Sequence, residues 1–397
     1  MAARLSIGVV GAGIGGLAAA LALARAGHGA TVLERAEELG EVGAGLQLSP
    51  NAMKAMRFLG LEAEAEAAGF APEAIELRMH RSGRTVFRAL LGAAARARWG
   101  ASYIQIHRAD LHGLLADAAR AAGVEIRTGE AVTGVRADEG GAILDTARGE
   151  ARFDLVVGAD GVRSLLRDHV APGPGAAFSG YVAFRGLADA ARLPENLVRP
   201  VASAWMGPRA HFVHYYLRRG EIVNFVGVIE RAAWTEESWS LPADIRALRA
   251  RFLDWHESVR AVLAAADTTF EWGLFGHAPL ARWSRGRVVL LGDAAHPTTP
   301  FLAQGAGMAL EDAVFLARAL EGRGVEDALE AFEAARKPRA SRLQAAAART
   351  GGRFHSRSLP ERLAKAGAIA ALGALAPGRA AALNDWIYSY DPARAPL

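Results

Sequence analysis

Residues 9–35, VVGAGIGGLAAALALARAGHGATVLER, constrain the fold more than any other stretch of the 397-residue chain. The apolar run Leu5 to Val10 reads as a strand and feeds Gly11, Gly13 and Gly16 at G-x-G-x-x-G spacing. A helix of Ala and Leu follows, then a second strand, Ala30–Leu33, ending in Glu34. Gly11 permits the tight turn, Gly13 lets backbone approach a pyrophosphate, and Gly16 lets helix and strand pack closely. The helix N-terminus turns free N–H groups toward the phosphates. Glu34 lies about 20 residues on, where a carboxylate accepts both ribose hydroxyl hydrogens. Glycines alone say little; strand, helix, second strand and acid in register specify a dinucleotide.

The length exceeds one ordinary core, so two interleaved domains are expected. Apolar residues make up 51% and charged residues 22%, which suits a soluble globular enzyme. The absence of cysteine excludes disulfides, thiolate metal sites and a cysteine nucleophile together. The formal net charge is +4, with Lys54, Lys337 and Lys365 the only lysines. The arginines are scattered among acids and form no dense basic block, so no nucleic acid partner is expected. Only Met-Ala-Ala-Arg precedes the first strand, which leads us to expect no signal peptide and a cytoplasmic location. The run Ala366–Pro377 is too short for a bilayer, which takes about 20 residues; no membrane partner is expected, and the run reads as a packed C-terminal helix.

A second glycine-rich turn, Glu41–Pro50, leads into a helix from Asn51. Residues 75–88 alternate around Ser82-Gly83 as a hairpin. Gln105–Ala121 reads as an amphipathic helix, with short strands at Val124–Arg127 and Ala131–Val135. Phe153–Gly161 is a buried strand closing on an Asp-Gly turn, and Arg287–Asp293 is another ending in glycine and aspartate. Between them, 181–185, Ala210–Leu217 and Ile222–Ile229 alternate as antiparallel strands, with a helix over Pro242–Ala265. Helices are predicted over roughly 305–321 and 325–350. A nucleotide fold is thus interrupted by an antiparallel segment and resumed.

Three separated motifs coincide: GAGIGG…LER, GADGVRS at 158–164 and LLGDAAHPTTPFLAQGAGMALEDA at 290–313. Together they resemble the single-component, FAD-dependent aromatic hydroxylases of the p-hydroxybenzoate hydroxylase fold. YVAFRG (181–186), HFVHYYLRRGE (211–221), PLARWSRGRVVLLGD (279–293) and WIYSYD (386–391) are similar to one branch of them. That branch holds salicylate hydroxylases, 3-hydroxybenzoate 6-hydroxylases and 6-hydroxynicotinate 3-monooxygenases. The resemblance implies an α/β fold: a Rossmann-like FAD-binding domain of the GR2 type, an inserted antiparallel-sheet substrate domain, and C-terminal helices. Its expected parts are 1–74, 100–174 and 280–350 for FAD, 75–99 and 175–279 for substrate, and 351–397 as a helical segment.

The resemblance also implies cofactor contacts at Gly11, Gly13, Gly15, Gly16, Glu34, Arg35, Gly45, Leu46, Arg108 and Val132. Asp160 and Arg163 match the second fingerprint, which serves both FAD and the nicotinamide cofactor. Asp293 would meet the ribityl and pyrophosphate portion, with Pro300, Gly305, Ala306, Gly307 and Met308 near the flavin. N–H groups at a helix start there would favour the anionic reduced ring. The implied reaction hydroxylates a small phenolic or hydroxylated N-heteroaromatic acid with NADH or NADPH and O2, via a flavin C4a-hydroperoxide. Rival readings are an FAD-dependent epoxidase or tailoring monooxygenase for a larger non-carboxylated substrate, a dehydrogenase, and a non-enzymatic nucleotide-binding regulator. A monomer or homodimer is expected.

His211 and His214 form an H-x-x-H pair, but three-residue spacing on a strand puts them on opposite faces, so no metal is expected. His211, Val213 and Tyr215 share one face. A histidine suits proton transfer from a substrate phenol near neutral pH, and the resemblance places His211 in the active site with Tyr215 lining it. The alternative for His211 is a satisfied sheet histidine. Gln304 is a candidate hydrogen-bond partner of the substrate. Arg185 reads equally as a carboxylate partner or as a helix-capping or interdomain contact, and His296 as a structural cap or loop anchor rather than a base. Tyr216, where proline is common, and Phe184, where Trp or Tyr is common, depart from the family form.

Overall fold

A computed structural model describes residues 4–40, 44–234, 241–354, 364, 367–369, 371 and 382–397. Its first sheet has six strands in the order Ser284–Arg285, Val288–Leu290, Leu155–Gly158, Ser6–Val10, Gly29–Leu33 and Glu125–Arg127. All neighbours run parallel except the two-residue edge strand Ser284–Arg285. The apolar strands are buried by helices, as a parallel sheet requires. The registers pair Val10 with Leu33 and Gly158, and Gly158 with Leu290. Four strands therefore end level, and the residues after them, 11–16, 34–36, 159–161 and 291–293, emerge along one edge. In an open parallel sheet that carboxyl edge is where ligands bind.

Helix Ile14–Arg25 packs between Arg108–Ala121 and Gly305–Leu320. Small residues make this possible: a Cβ on Gly15 would lie 3.0 Å from Leu291 and 3.1 Å from Ala309, and one on Gly16 would overlap the Gly11 carbonyl oxygen.

The second large sheet has eight strands: Leu241–Ala243, Thr269–Gly276, Ala177–Asp189, Ile222–Glu230, Ala210–Leu217, Ala202–Gly207, Ala74–Met79 and Thr85–Leu90. Only the pairing of Ala202–Gly207 with Ala74–Met79 is parallel. One face carries Val182, Phe184, Phe212 and Phe225 against Leu248, Phe252, Trp255 and Val259. The opposite face carries Ala183, Val228, Tyr215 and Leu217. A three-stranded meander, Val132–Asp138, Gly141–Thr146 and Gly149–Phe153, stands apart.

Several expectations need correction. The helix expected from Gln105 begins at Arg108, because Ile104–His107 is a strand paired antiparallel with Gly45–Leu48. That same pairing makes part of the expected turn Glu41–Pro50 a strand. The single helix expected over Pro242–Ala265 is a short strand and two helices, Ile245–Arg251 and Glu257–Ala265. It breaks where Phe252 and Trp255 turn into the sheet core and the His256 ring caps the second helix by accepting the Ser258 N–H. The expected helix Ala366–Pro377 lies mostly outside the described residues. Residues 382–397 hold one short helix, Asp385–Tyr388.

Candidate active site

The glycine loop leaves a cradle. A Cβ on Gly13 would meet nothing within 4 Å, whereas Gly11, at φ +100°, has Ala159 carbonyl oxygen 2.5 Å from where its Cβ would be. Helix Ile14–Arg25 has no side-chain cap and no acid in its first turn, so its leading N–H groups face that open space. Glu34 closes the loop: its carboxylate accepts the Ala12 N–H at 2.8 Å and the Ala36 N–H at 2.9 Å. Arg35 follows on the surface. The buried His112 ring hydrogen-bonds the Ala12 carbonyl at 2.7 Å and steadies the loop from the helix behind.

The second and third motifs are tied by a residue that sequence reasoning missed. The Arg167 guanidinium donates to the carbonyls of Ala294 at 2.7 Å and Asp293 at 2.5 Å, and to that of Val162 at 2.7 Å. It holds the loops after two parallel strands together. Asp160 is turned inward, accepting from Ser164 Oγ at 2.5 Å and the Leu166 N–H at 3.2 Å. Burial raises its carboxyl above the usual range against those bonds. Arg163 is exposed. Asp293 points to solvent from a groove near His296, Arg108 and Arg167; desolvation there raises its carboxyl despite those neighbours. Val132 is half-buried at the start of its strand.

The N-terminus of Gly305–Leu320 is the second uncapped helix start, again with no acid in its first turn. It follows the turn Pro300–Leu302, with Pro300 exposed, and Ala303 at φ +52°, a left-handed conformation rare outside glycine. Gly305 and Ala306 are half-buried, Gly307 and Met308 buried. The buried Gln304 amide is held by its neighbours: Nε2 donates to Ser49 Oγ at 3.0 Å, and Oε1 accepts from Asn51 at 3.0 Å. Asn51 also donates to Glu311 at 2.7 Å. Behind the turn, Asp312 accepts from the Gly292 N–H, His296 and Arg336, all buried. His296 thus anchors the loop.

On the eight-stranded sheet, registers align His211 with Val228 and Met206, Val213 with Val226, and Tyr215 with Asn224. Ala183 and Arg185 continue the first two rows. The ring of Phe301, from the Pro300–Leu302 turn, lies 5.6 Å from His211 and 5.5 Å from Tyr181. The Gly45–Leu48 strand approaches from the other side: Asn224 Oδ1 accepts the Gly45 N–H at 2.8 Å, and Leu46 and Gln47 are half-buried beside it. Burial pushes the Tyr215 hydroxyl up, opposed by a hydrogen bond from Gln47. The Arg185 guanidinium sits 4.9 Å over Trp272. His214 is on the far face, between Trp205 and Phe212. Among the described residues no group of three or more His, Asp or Glu is placed to hold a metal.

Two uncapped helix starts, an open space over Gly13, a loop-closing carboxylate and an exposed aspartate in a groove line one edge of the parallel sheet. That donor set fits an FAD: N–H groups for the pyrophosphate, carboxylates for hydroxyls, and backbone of 305–307 for a flat ring. Sequence comparison agrees. Residues 4–347 match the family model described as FAD binding domain, and the chain belongs to that family. It is 39% identical to a 3-amino-4-hydroxybenzoate 2-monooxygenase of Streptomyces platensis, over 89% of each chain. It is 38% identical to the 6-hydroxynicotinate 3-monooxygenase of Bordetella bronchiseptica, covering 87% of this chain and 91% of that one. The FAD- and uric acid-bound HpxO of Klebsiella pneumoniae superposes with a TM-score of 0.84 at 29% identity, covering 95% and 96%. The chain is an FAD-dependent aromatic monooxygenase.

Proposed function

We propose that this enzyme hydroxylates a small phenolic or hydroxylated N-heteroaromatic acid: substrate, O2, NADH or NADPH and a proton give the hydroxylated acid, the oxidised nicotinamide and water. The observation that carries the reading is His211 and Tyr215 on one sheet face, opposite the Gly45–Leu48 strand and under Phe301. Gly11, Gly13, Gly15 and Gly16, with Glu34, Arg35, Arg108, Val132, Asp160, Arg163 and Asp293, would hold the adenosine, pyrophosphate and ribityl parts of FAD. Gly45, Leu46, Pro300 and Gly305 to Met308 would border its ring. Bound FAD supplies the redox chemistry, taking two electrons from the nicotinamide and activating O2.

The protein supplies placement and a proton path. The His211 imidazole takes the proton of the substrate hydroxyl, because a phenolate is a far stronger carbon nucleophile than a phenol. Tyr215 hydrogen-bonds the substrate, Phe301 excludes water above it, and Gln304 acts through the turn it anchors. A cytoplasmic monomer or homodimer belongs to the same reading, as does a division into an FAD-binding part around the parallel sheet and a substrate part around the eight-stranded sheet. Among the described residues no helix is long and apolar enough to cross a membrane.

The test is oxygen uptake and NAD(P)H oxidation by the purified protein with 3-hydroxybenzoate, 3-amino-4-hydroxybenzoate, 6-hydroxynicotinate and salicylate. Stimulation by one acid, with one atom of 18O2 in the product, supports the reading. In that case His211→Gln should slow hydroxylation about 100-fold, within the range general base catalysis contributes. A yellow protein that ignores every acid would favour a larger, non-carboxylated substrate instead.

A further inference from the structure

We propose that Ser49, Asn51 and Gln304 form a closed, buried hydrogen-bond ring that fixes the spacing of the two segments bordering the flavin ring. Ser49, Asn51 and Glu311 thereby become positioning residues for the isoalloxazine, a role that rests on the FAD placement proposed above.

Three bonds close the ring. Ser49 Oγ donates to Asn51 Oδ1 at 2.7 Å, Asn51 Nδ2 donates to Gln304 Oε1 at 3.0 Å, and Gln304 Nε2 returns to Ser49 Oγ at 3.0 Å. Ser49, Asn51 and Gln304 are 2%, 0% and 3% exposed, so water does not compete for these bonds. A single charge sets their direction. The fully buried Glu311 carboxylate takes the second Asn51 N–H at 2.7 Å. Burial works to raise that carboxyl, but Arg336 and Arg339 outweigh it and hold it low, so Glu311 is ionised and can only accept. The Asn51 NH2 must then face Glu311, which leaves Oδ1 for the Ser49 proton and the Ser49 oxygen for Gln304. The other Gln304 N–H is directed at the Leu302 carbonyl at 3.3 Å. Both amides are thus spent on the protein itself.

The ring joins segments far apart in sequence. Ser49 follows the strand Gly45–Leu48, whose first residue Asn224 holds to the substrate sheet. It occupies the N-cap position of helix Pro50–Phe58, yet its side chain makes no cap bond, so the ring takes a hydroxyl that would ordinarily cap. Gln304 stands between the left-handed Ala303 and the first turn of Gly305–Leu320. A Cβ on Gly307 would lie 3.5 Å from Gln304 Oε1 and 3.7 Å from Asn51 Nδ2, so the ring backs onto the backbone that would border the flavin. Arg339, which grips both Glu311 oxygens at 2.8 Å, also donates to the carbonyls of Trp386 and Ile387. The WIYSYD stretch thereby holds the guanidinium that holds Glu311.

The midpoint potential of the bound flavin reads the spacing without turnover. Ser49→Ala adds no volume and removes no cap. It should weaken the hold on reduced FAD relative to oxidised FAD about tenfold, the worth of one hydrogen bond. The reason is that the N–H groups of 305–307 favour the anionic reduced ring only at close range. That tenfold is a fall of about 30 mV in the two-electron potential. Asn51→Ala should give the same fall, and the double variant no more than the larger single one. A loss of stability alone lowers the melting temperature and leaves the potential where it was. In 15N-labelled holoenzyme, Ser49→Ala should also speed solvent exchange of the Asn51 amide, although that NH2 is bonded to Gln304 and Glu311 and not to Ser49. Asn51→Ala keeps the potential test available should Ser49→Ala not fold. An Asn51 amide that exchanges as in wild type overturns the ring, and additive falls in potential overturn its cooperative action. An unchanged potential beside a faster-exchanging amide overturns the positioning role and traces the failure to the FAD placement, not to the ring.

Discussion

The Tyr215 ring lies so close to Gly45 that a Cβ on the glycine would fall 2.6 Å from ring carbon Cε2 and 2.8 Å from the hydroxyl. Gly45 does not have a left-handed backbone, so the constraint is space alone. Its N–H is also fixed by Asn224. Gly45→Ala must therefore displace Tyr215 or part the strand Gly45–Leu48 from the substrate sheet. Overpacking of this kind costs about 1–3 kcal/mol. We expect a lower melting temperature and a KM for the aromatic substrate raised about tenfold, the equivalent of 1.4 kcal/mol. Unchanged kinetics would mean that Tyr215 does not touch the substrate.

Gly13 and Gly16 make opposite predictions from one loop. The space beside Gly13 is open in the protein, whereas a Cβ on Gly16 would overlap the Gly11 carbonyl oxygen. Gly13→Ala should leave the apoprotein's melting temperature unchanged, yet weaken FAD binding at least about tenfold because the pyrophosphate needs that volume. Gly16→Ala should fail at folding. Flavin absorbance per chain and apoprotein melting separate the two. A Gly13→Ala protein that keeps its flavin would put the phosphates elsewhere.

What the sequence disclosed follows from how local each feature is. Gly11 to Glu34 lie within one β–α–β unit, so spacing alone places them, and the Gly158 and Leu290 strands end level with it. The alternation of His211, Val213 and Tyr215 was likewise legible, since a strand's period needs no partner. The pairing of Ala202–Gly207 with Ala74–Met79 was not, because it joins residues over a hundred positions apart with no turn between them. Gln105–His107 satisfies a helical pattern as well as a strand one, and the pairing with Gly45–Leu48 decided it. Arg167, Asn51 and Gln47 are polar residues without a motif; burial and distant partners reveal them, and neither is encoded in spacing.

The turn before the flavin-facing helix depends on a buried charge set. Arg336 pairs with Glu311 at 2.7 Å and Asp312 at 2.8 Å, and all three side chains are fully buried. Burial alone would raise the Asp312 carboxyl; His296 and Arg336 outweigh it and hold the group low. Arg336→Met leaves Glu311 with Arg339 and Asn51, and Asp312 with His296 and the Gly292 N–H. Removing one partner of a buried pair costs about 3–5 kcal/mol, and the urea midpoint should fall accordingly, with FAD released first. A loss below about 1 kcal/mol, the scale of an exposed pair, would show that the remaining partners of the two carboxylates suffice without Arg336.

His214 should make the substrate sheet acid-sensitive. The ring is 1% exposed, neither nitrogen has a hydrogen-bond partner among the described residues, and it stacks on Trp205 at 5.9 Å. Burial, helped by Arg78, lowers its pKa to about 3. The unfolded chain binds a proton near the ordinary value of about 6.5, so the unfolded state holds more protons between pH 6.5 and 3. Stability due to His214 is therefore whole above pH 6.5 and is lost as pH falls, by up to about 1.4 kcal/mol per unit. His214→Phe removes this loss and also the cost of two unsatisfied ring nitrogens, and its volume suits a site already walled by Trp205 and Phe212. The variant should melt at or above wild type at pH 7.5, and the gap should widen steadily toward pH 5. A gap independent of pH would mean that His214 gains a proton and a partner in the folded state, and that Trp205 and Phe212 move apart to admit water.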